Sequence, residues 1–100
     1  MLYLLKVAGS SLEPDFEEGD FVLVSKIPFF FRPMRPGDVI VFNHVLYHTM
    51  IKYVEHVEPE SGEIFVAGTH PGSVDSRSFG PIRPSAVLGK VIWHIYKKRV

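Results

Sequence analysis

The sequence predicts a small all-β domain: mostly antiparallel sheets coiled into a partial barrel, with one or two short helical turns. Three features point to it. Short segments rich in β-branched and aromatic residues recur along the chain. Turn chemistry separates them, in "EEGD", "RPGD", "PESGE", "HPGS" and "FGPIRP". Helical periodicity is weak throughout. The 100 residues suit a single domain, 1–100, and an apolar content of 46% is enough for a packed core.

The elements follow in order. "YLLKVA" (3–8) is the first strand and leads into "GSSLEP", after which a short turn of helix is expected. "DFVLVSK" (20–26) is the second strand, entered through Gly19-Asp20. "IPFFFRPMRPGD" (27–38) is the long connection. Its consecutive Phe29, Phe30 and Phe31 do not fit one side of a strand or loop, so burial of one or two and exposure of the remainder is expected. An exposed pair there would touch lipid or a partner. "DVIVF" (38–42) is entered through Gly37-Asp38, a weak internal echo of Gly19-Asp20, and a tight turn into a strand explains both glycines. "LYHTMIKYVEHV" (46–57), "EIFVA" (63–67) and "VLGKVIWHIY" (87–96) complete the strands, with a second helical turn at 83–87. The unbroken apolar runs from Phe21 to Val24 and from Val39 to Phe42 predict strands covered on both faces.

Composition excludes several classes. Eleven basic and eleven acidic side chains cancel, so no field invites nucleic acid and no nucleic-acid partner is expected. The one basic cluster, "YKKRV", is a solvated tail or a weak attraction to anionic lipid. The absence of cysteine removes disulfides, thiolate metal sites and a cysteine nucleophile. No run approaches the ~18 apolar residues of a membrane span, and Lys6 interrupts "MLYLLK". The expectation is a soluble chain, cytoplasmic or peripheral to a membrane.

Four stretches carry candidate chemistry. Ser10 and Ser11 read first as a helix cap, with Glu13 completing a capping box, and second as a nucleophile beside amides that point outward at a helix start. A serine nucleophile needs a base. Lys52 lies among Met50, Ile51, Tyr53 and Val54. It either snorkels to water or is partly buried, and burial would make its amine a usable base. Ser73, Asp75, Ser76 and Arg77 form a dense polar knot between two apolar strands, a surface ion pair or a buried support for a site nearby. His44, His48, His56, His70 and His94 show no triad context and no complete ligand set, so neither metal nor cofactor is expected.

In this order, these pieces resemble the type I signal peptidases, serine proteases with a Ser/Lys dyad. The family's Ser-Met-x-Pro appears here as "GSSLEP", its Arg-Gly-Asp-Val-Val-Phe as "RPGDVIVF", and its Lys-Arg-Val strand as "IKYV". Its Gly-Asp-Asn…Ser-x-Asp-Ser-Arg-x-x-Gly appears as "GTHPGSVDSRSFG", and "GKVIW" also fits. The likeness runs from about residue 7 to 95.

The resemblance implies Ser11 as nucleophile and Lys52 as general base on the family's all-β catalytic core. Ser73 would orient the lysine amine, and Asp75 and Arg77 would form a structural ion pair behind the site. The Ser11 amide would be one oxyanion donor, with Ser10 a candidate for the other because Gly9 has no hydroxyl. The implied partner is a precursor protein in extended conformation. The cut would remove a signal peptide, with Phe29, Phe30 and Phe31 touching the membrane, or a propeptide, as in the small maturation proteases associated with nickel superoxide dismutase. Self-cleaving repressors share the dyad but need a DNA-binding domain and a cleavage segment, for which this chain has no room. Gly9 and the altered Gly68-Thr69-His70 motivate an alternative: a non-catalytic binding module on the same fold.

Overall fold

The computed structural model describes residues 2–8, 12, 15–69 and 71–96. Its strands are β1 (Leu2–Lys6), β2 (Phe21–Ser25), β3 (Val39–His44), β4 (His48–Val57), β5 (Ile64–Ala67) and β6 (Val87–Ile95). They form one open six-stranded sheet in the order β1-β2-β6-β3-β4-β5. Every pairing is antiparallel. The all-β expectation holds, but the sheet is open and does not coil into a partial barrel, because β1 and β5 end it as separate edges. Each predicted strand appears with no end moved by more than two residues.

The last strand sits in the middle of the sheet. β6 pairs with β2 along its C-terminal half and with β3 along its N-terminal half. Gly89 is where these halves meet. A Cβ there would lie 2.8 Å from the backbone of Ser25, so only glycine lets the strands approach.

The Gly-Asp echo is structural. Gly19 and Gly37 have φ of 96° and 94°, a region open to glycine. Behind each turn the same bonds recur. Gly19 N–H donates to the Val7 carbonyl and Val7 N–H to that of Asp20, at 2.9 and 2.7 Å. Gly37 and Asp38 exchange the equivalent bonds with Val54, at 2.9 and 2.8 Å. Each aspartate also accepts from the amide three residues earlier, Glu17 at 3.0 Å and Arg35 at 3.1 Å. Each buried carboxylate then meets a basic side chain: His94 for Asp20, Arg32 and Lys90 for Asp38.

Apolar side chains gather on both faces of the sheet. One cluster joins Ile40, Phe42, Val54, Ile64, Val66, Ile82 and Val87. The other joins Val7, Leu12, Phe16, Val22, Val24 and Val41. β3 feeds both, since neighbouring residues point to opposite faces, and its run is covered on both sides as expected. β2 is not. Val22 and Val24 are buried while Phe21 is exposed, and its outer face continues into exposed Leu4 and Trp93. An apolar run therefore marks a covered strand only where a second layer exists.

The helical turns differ in part from expectation. A 3-10 turn at Pro84–Ala86 matches the one expected at 83–87. After Ser11, the described residues show one i→i+4 bond, Phe16 N–H to the Leu12 carbonyl, at 3.0 Å. Two further short helices appear, α1 (Pro28–Phe31) and α2 (Ser76–Phe79). Four residues are too few for periodicity to register. Proline in the first turn favours α1 and the Asp75 cap favours α2. In α1, Phe29 packs on the core while Phe30 and Phe31 are 79% and 84% exposed. β4 starts at His48, not Leu46, because Val45–Tyr47 turn the hairpin and His48 takes a left-handed φ of 62°.

Gly89→Ala is expected to destabilise the fold by about 2 kcal/mol or more, because backbone must move to admit the methyl group. The midpoint of urea unfolding measures it, and a midpoint equal to that of the unsubstituted protein would contradict the close-approach account.

Candidate active site

Among the described residues, Lys52 is the buried lysine. Its strand registers it opposite Ile40 of β3, between Met50 and Val54 on one face. The residue is 2% exposed. Burial pushes its amine below the ordinary lysine value of 10.5; nearby Asp75 pulls it back up, and Arg77 lowers it again. Snorkelling, the alternative read from sequence, does not occur.

Asp75 is 0% exposed and fully engaged. It accepts from the Gly68 amide at 3.1 Å and the Arg77 amide at 3.0 Å. Arg77 adds Nε and Nη2, each at 2.9 Å. These bonds, those of the guanidinium foremost, hold the Asp75 carboxyl down to about 2 against the upward push of burial. The ion pair named from sequence therefore forms, with its carboxylate inside and its guanidinium largely in water. It ties the end of β5 to the start of α2, next to Lys52. Ser76 supports the same corner, its Oγ accepting from the Val66 amide at 2.8 Å.

Lys52 and buried Ser73 line one cleft of about 560 Å³. Its walls are Leu5–Ala8 on one side and Thr49–Lys52 on the other, with Val22 and Val41 as apolar floor and Gly72–Val74 closing an end. Two strand edges border it. β1 pairs with β2 alone. β4 pairs with β5 only from Tyr53 onward, so His48–Lys52 keep one edge unpaired among the described strands. The opposite edge of the sheet is covered: β5 is bridged by Ile82 and by the Ser76 hydroxyl.

Ser10 and Ser11, with Gly9 and His70, lie outside the described residues. Their neighbours are placed. Ala8 is on the cleft wall, and Leu12 is buried in the cluster beneath β4. The structure thus brings Lys52, Ser73, Asp75 and Arg77 to one corner.

Two contacts around the serine segment had no counterpart in the sequence reading. Tyr53 Oη donates to Asp15 Oδ2 at 2.7 Å. His94 Nε2 lies 2.7 Å from Asp20 Oδ2, with Phe16 stacked on its ring at 4.4 Å. Both link residues far apart in sequence, and no local pattern announces such a pair. His44 serves its hairpin, Nδ1 accepting from the Leu46 and Tyr47 amides at 3.1 and 3.3 Å.

The sequence matches the Peptidase S24-like family over residues 1–92. The chain belongs to that family. No curated protein matches it. Membership supports a peptidase-type enzyme, and at that level agrees with the likeness drawn from the motifs.

Asp75→Ala is expected to lose about 3 kcal/mol, since it strands the Gly68 amide and removes a buried anion from its guanidinium. Arg77→Ala should lose less, because water reaches its head group. The Asp75 contribution is full above the ordinary carboxylate value of 3.8 and fades as pH falls towards about 2. Urea titrations of both variants from pH 7 to 2 measure this, and equal losses at every pH would contradict it.

Proposed function

We propose that this chain is a serine endopeptidase in which Ser11 is the nucleophile and Lys52 the general base, cutting an N-terminal segment from a precursor protein. The observation that carries the reading is Lys52, 2% exposed, in a cleft bordered by two strand edges that no described strand pairs. A neutral amine accepts a proton; an ammonium does not.

Lys52 Nζ takes the Ser11 proton as Oγ bonds to the scissile carbonyl carbon. Backbone amides at Ser11 and its neighbour meet the developing oxyanion. The carbon–nitrogen bond then breaks, and the Lys52 proton goes to the leaving amine. An ester on Ser11 remains. Water gives a proton to Lys52 and attacks the ester carbon. The carbon–Oγ bond breaks, and the Lys52 proton passes to Ser11 Oγ, freeing the acid and restoring the serine and the neutral amine. Ser73 orients the amine throughout.

The unpaired edges suit an extended substrate, which adds backbone hydrogen bonds as another strand would. Val22, Val41, Met50 and Ile51 offer it apolar contact, consistent with small or aliphatic side chains beside the cut. Exposed Phe30 and Phe31 support the secretory version, in which they rest in a lipid surface. Among the described residues, no helix is long and apolar enough to cross a membrane. The propeptide version needs no lipid contact.

Incubation with a mixed peptide library, cut sites being read by mass spectrometry, tests the activity. Cleavage that persists in Ser11→Ala would remove the nucleophile. Lys52→Met is expected to abolish cleavage, by roughly 10³-fold or more. It should not lower the melting temperature at neutral pH, because a buried polar amine is replaced by an apolar chain. The wild-type rate should rise with pH as the Lys52 amine loses its proton, below the ordinary value of 10.5. Flotation with liposomes separates the two versions: binding that Phe30→Ser with Phe31→Ser removes supports the secretory one, and indifference supports the propeptide one.

A further inference from the structure

We infer that Tyr53 is a positioning residue, whose bond to Asp15 registers the segment carrying Ser11 against the strand carrying Lys52; this rests on the reading above. Tyr53 directly follows Lys52, and adjacent strand residues point to opposite faces. The lysine therefore turns towards the Asp75 corner, while the tyrosine turns under the sheet. There it packs against the cluster that includes Val7, Phe16 and Leu12, the residue after Ser11. Its hydroxyl then reaches Asp15 at 2.7 Å, across 38 positions of sequence. One strand thus holds the base with one side chain and the nucleophile's segment with the next.

The segment is anchored a second time beyond Asp15. Phe16 stacks on His94 of β6, and His94 bonds to buried Asp20. The two anchors come from different strands and hold different residues. β6 fixes the segment to the sheet as a whole, whereas Tyr53, among the described residues, gives it a side-chain hydrogen bond to the lysine strand. A phenylalanine would fill the same apolar place, so the phenol has to be explained by what its hydroxyl bonds. Burial and the Asp15 bond hold that phenol protonated up to about 12, so it still donates at alkaline pH, where the lysine amine is neutral.

The test compares Tyr53→Phe, Asp15→Ala and Asp15→Asn in the full chain. Asparagine keeps an acceptor and alanine does not. Tyr53→Phe and Asp15→Ala should each lower kcat about three- to tenfold, the range one hydrogen bond supports, with KM within twofold. Asp15→Asn should recover most of the loss. Hydrogen exchange at the Phe16 amide, which bonds to Leu12, should quicken several-fold in the first two variants and not in the third. A kcat and an exchange rate unchanged in Tyr53→Phe would overturn the inference, as would a loss equal in Asp15→Asn and Asp15→Ala. Should Tyr53→Phe fold poorly, the exposed Asp15 pair decides alone. If the wild-type protein cleaves no peptide, the peptidase reading fails, while the exchange rates still decide whether the link holds the segment.

Discussion

A lysine held away from water is the constraint on which this architecture turns. An amine out of solvent either loses its proton or acquires a counter-ion. Asp75 is near enough to raise the Lys52 amine, yet its oxygens are already taken by Arg77 and by two backbone amides. The guanidinium beside it acts in the opposite direction on the amine. Burial is the largest single effect on the amine. The polar knot is thus more than a surface decoration: it fixes the corner of the fold while its two charges act on the lysine in opposite directions.

The geometry around that amine follows from how the sheet ends. The two Gly-Asp turns use one device twice, a left-handed glycine followed by an aspartate that accepts from the amide three residues back. One turn starts β2 and clasps Val7; the other starts β3 and clasps Val54. The first holds the end of the β1 segment at the cleft. The second holds the β4 strand two residues from Lys52. Both cleft walls are therefore tied down by local chemistry, and the central β6 carries that rigidity from one half of the sheet to the other. Among the described residues the strand edges along the cleft stay unpaired, although the distant edge is covered. A sheet that protects itself at β5 and leaves β1 open leaves room for another strand where the amine lies.

Much of this was legible in linear order. Strand composition and turn residues located all six strands, because β-branched runs and Gly, Pro and Asp punctuation act over a few residues. Motif order placed Lys52, Ser73, Asp75 and Arg77 in one site, and the structure brings those four to one corner. The four-residue helices were missed, being shorter than the period that would reveal them. The outer face of β2 was misjudged because an apolar run reports hydrophobicity, not whether anything covers it.

Residue types settled what is local: the strands, the glycine turns, and the presence of a lysine with a serine and an ion pair in family order. The fold alone decided what depends on distant neighbours. It buried Lys52 instead of letting it reach water, put Asp75 inside and Arg77 outside, left two edges open at one cleft, and joined Asp15 to Tyr53 and Asp20 to His94. Burial and pairing across tens of residues are properties of packing, and packing is written in no single stretch of chain.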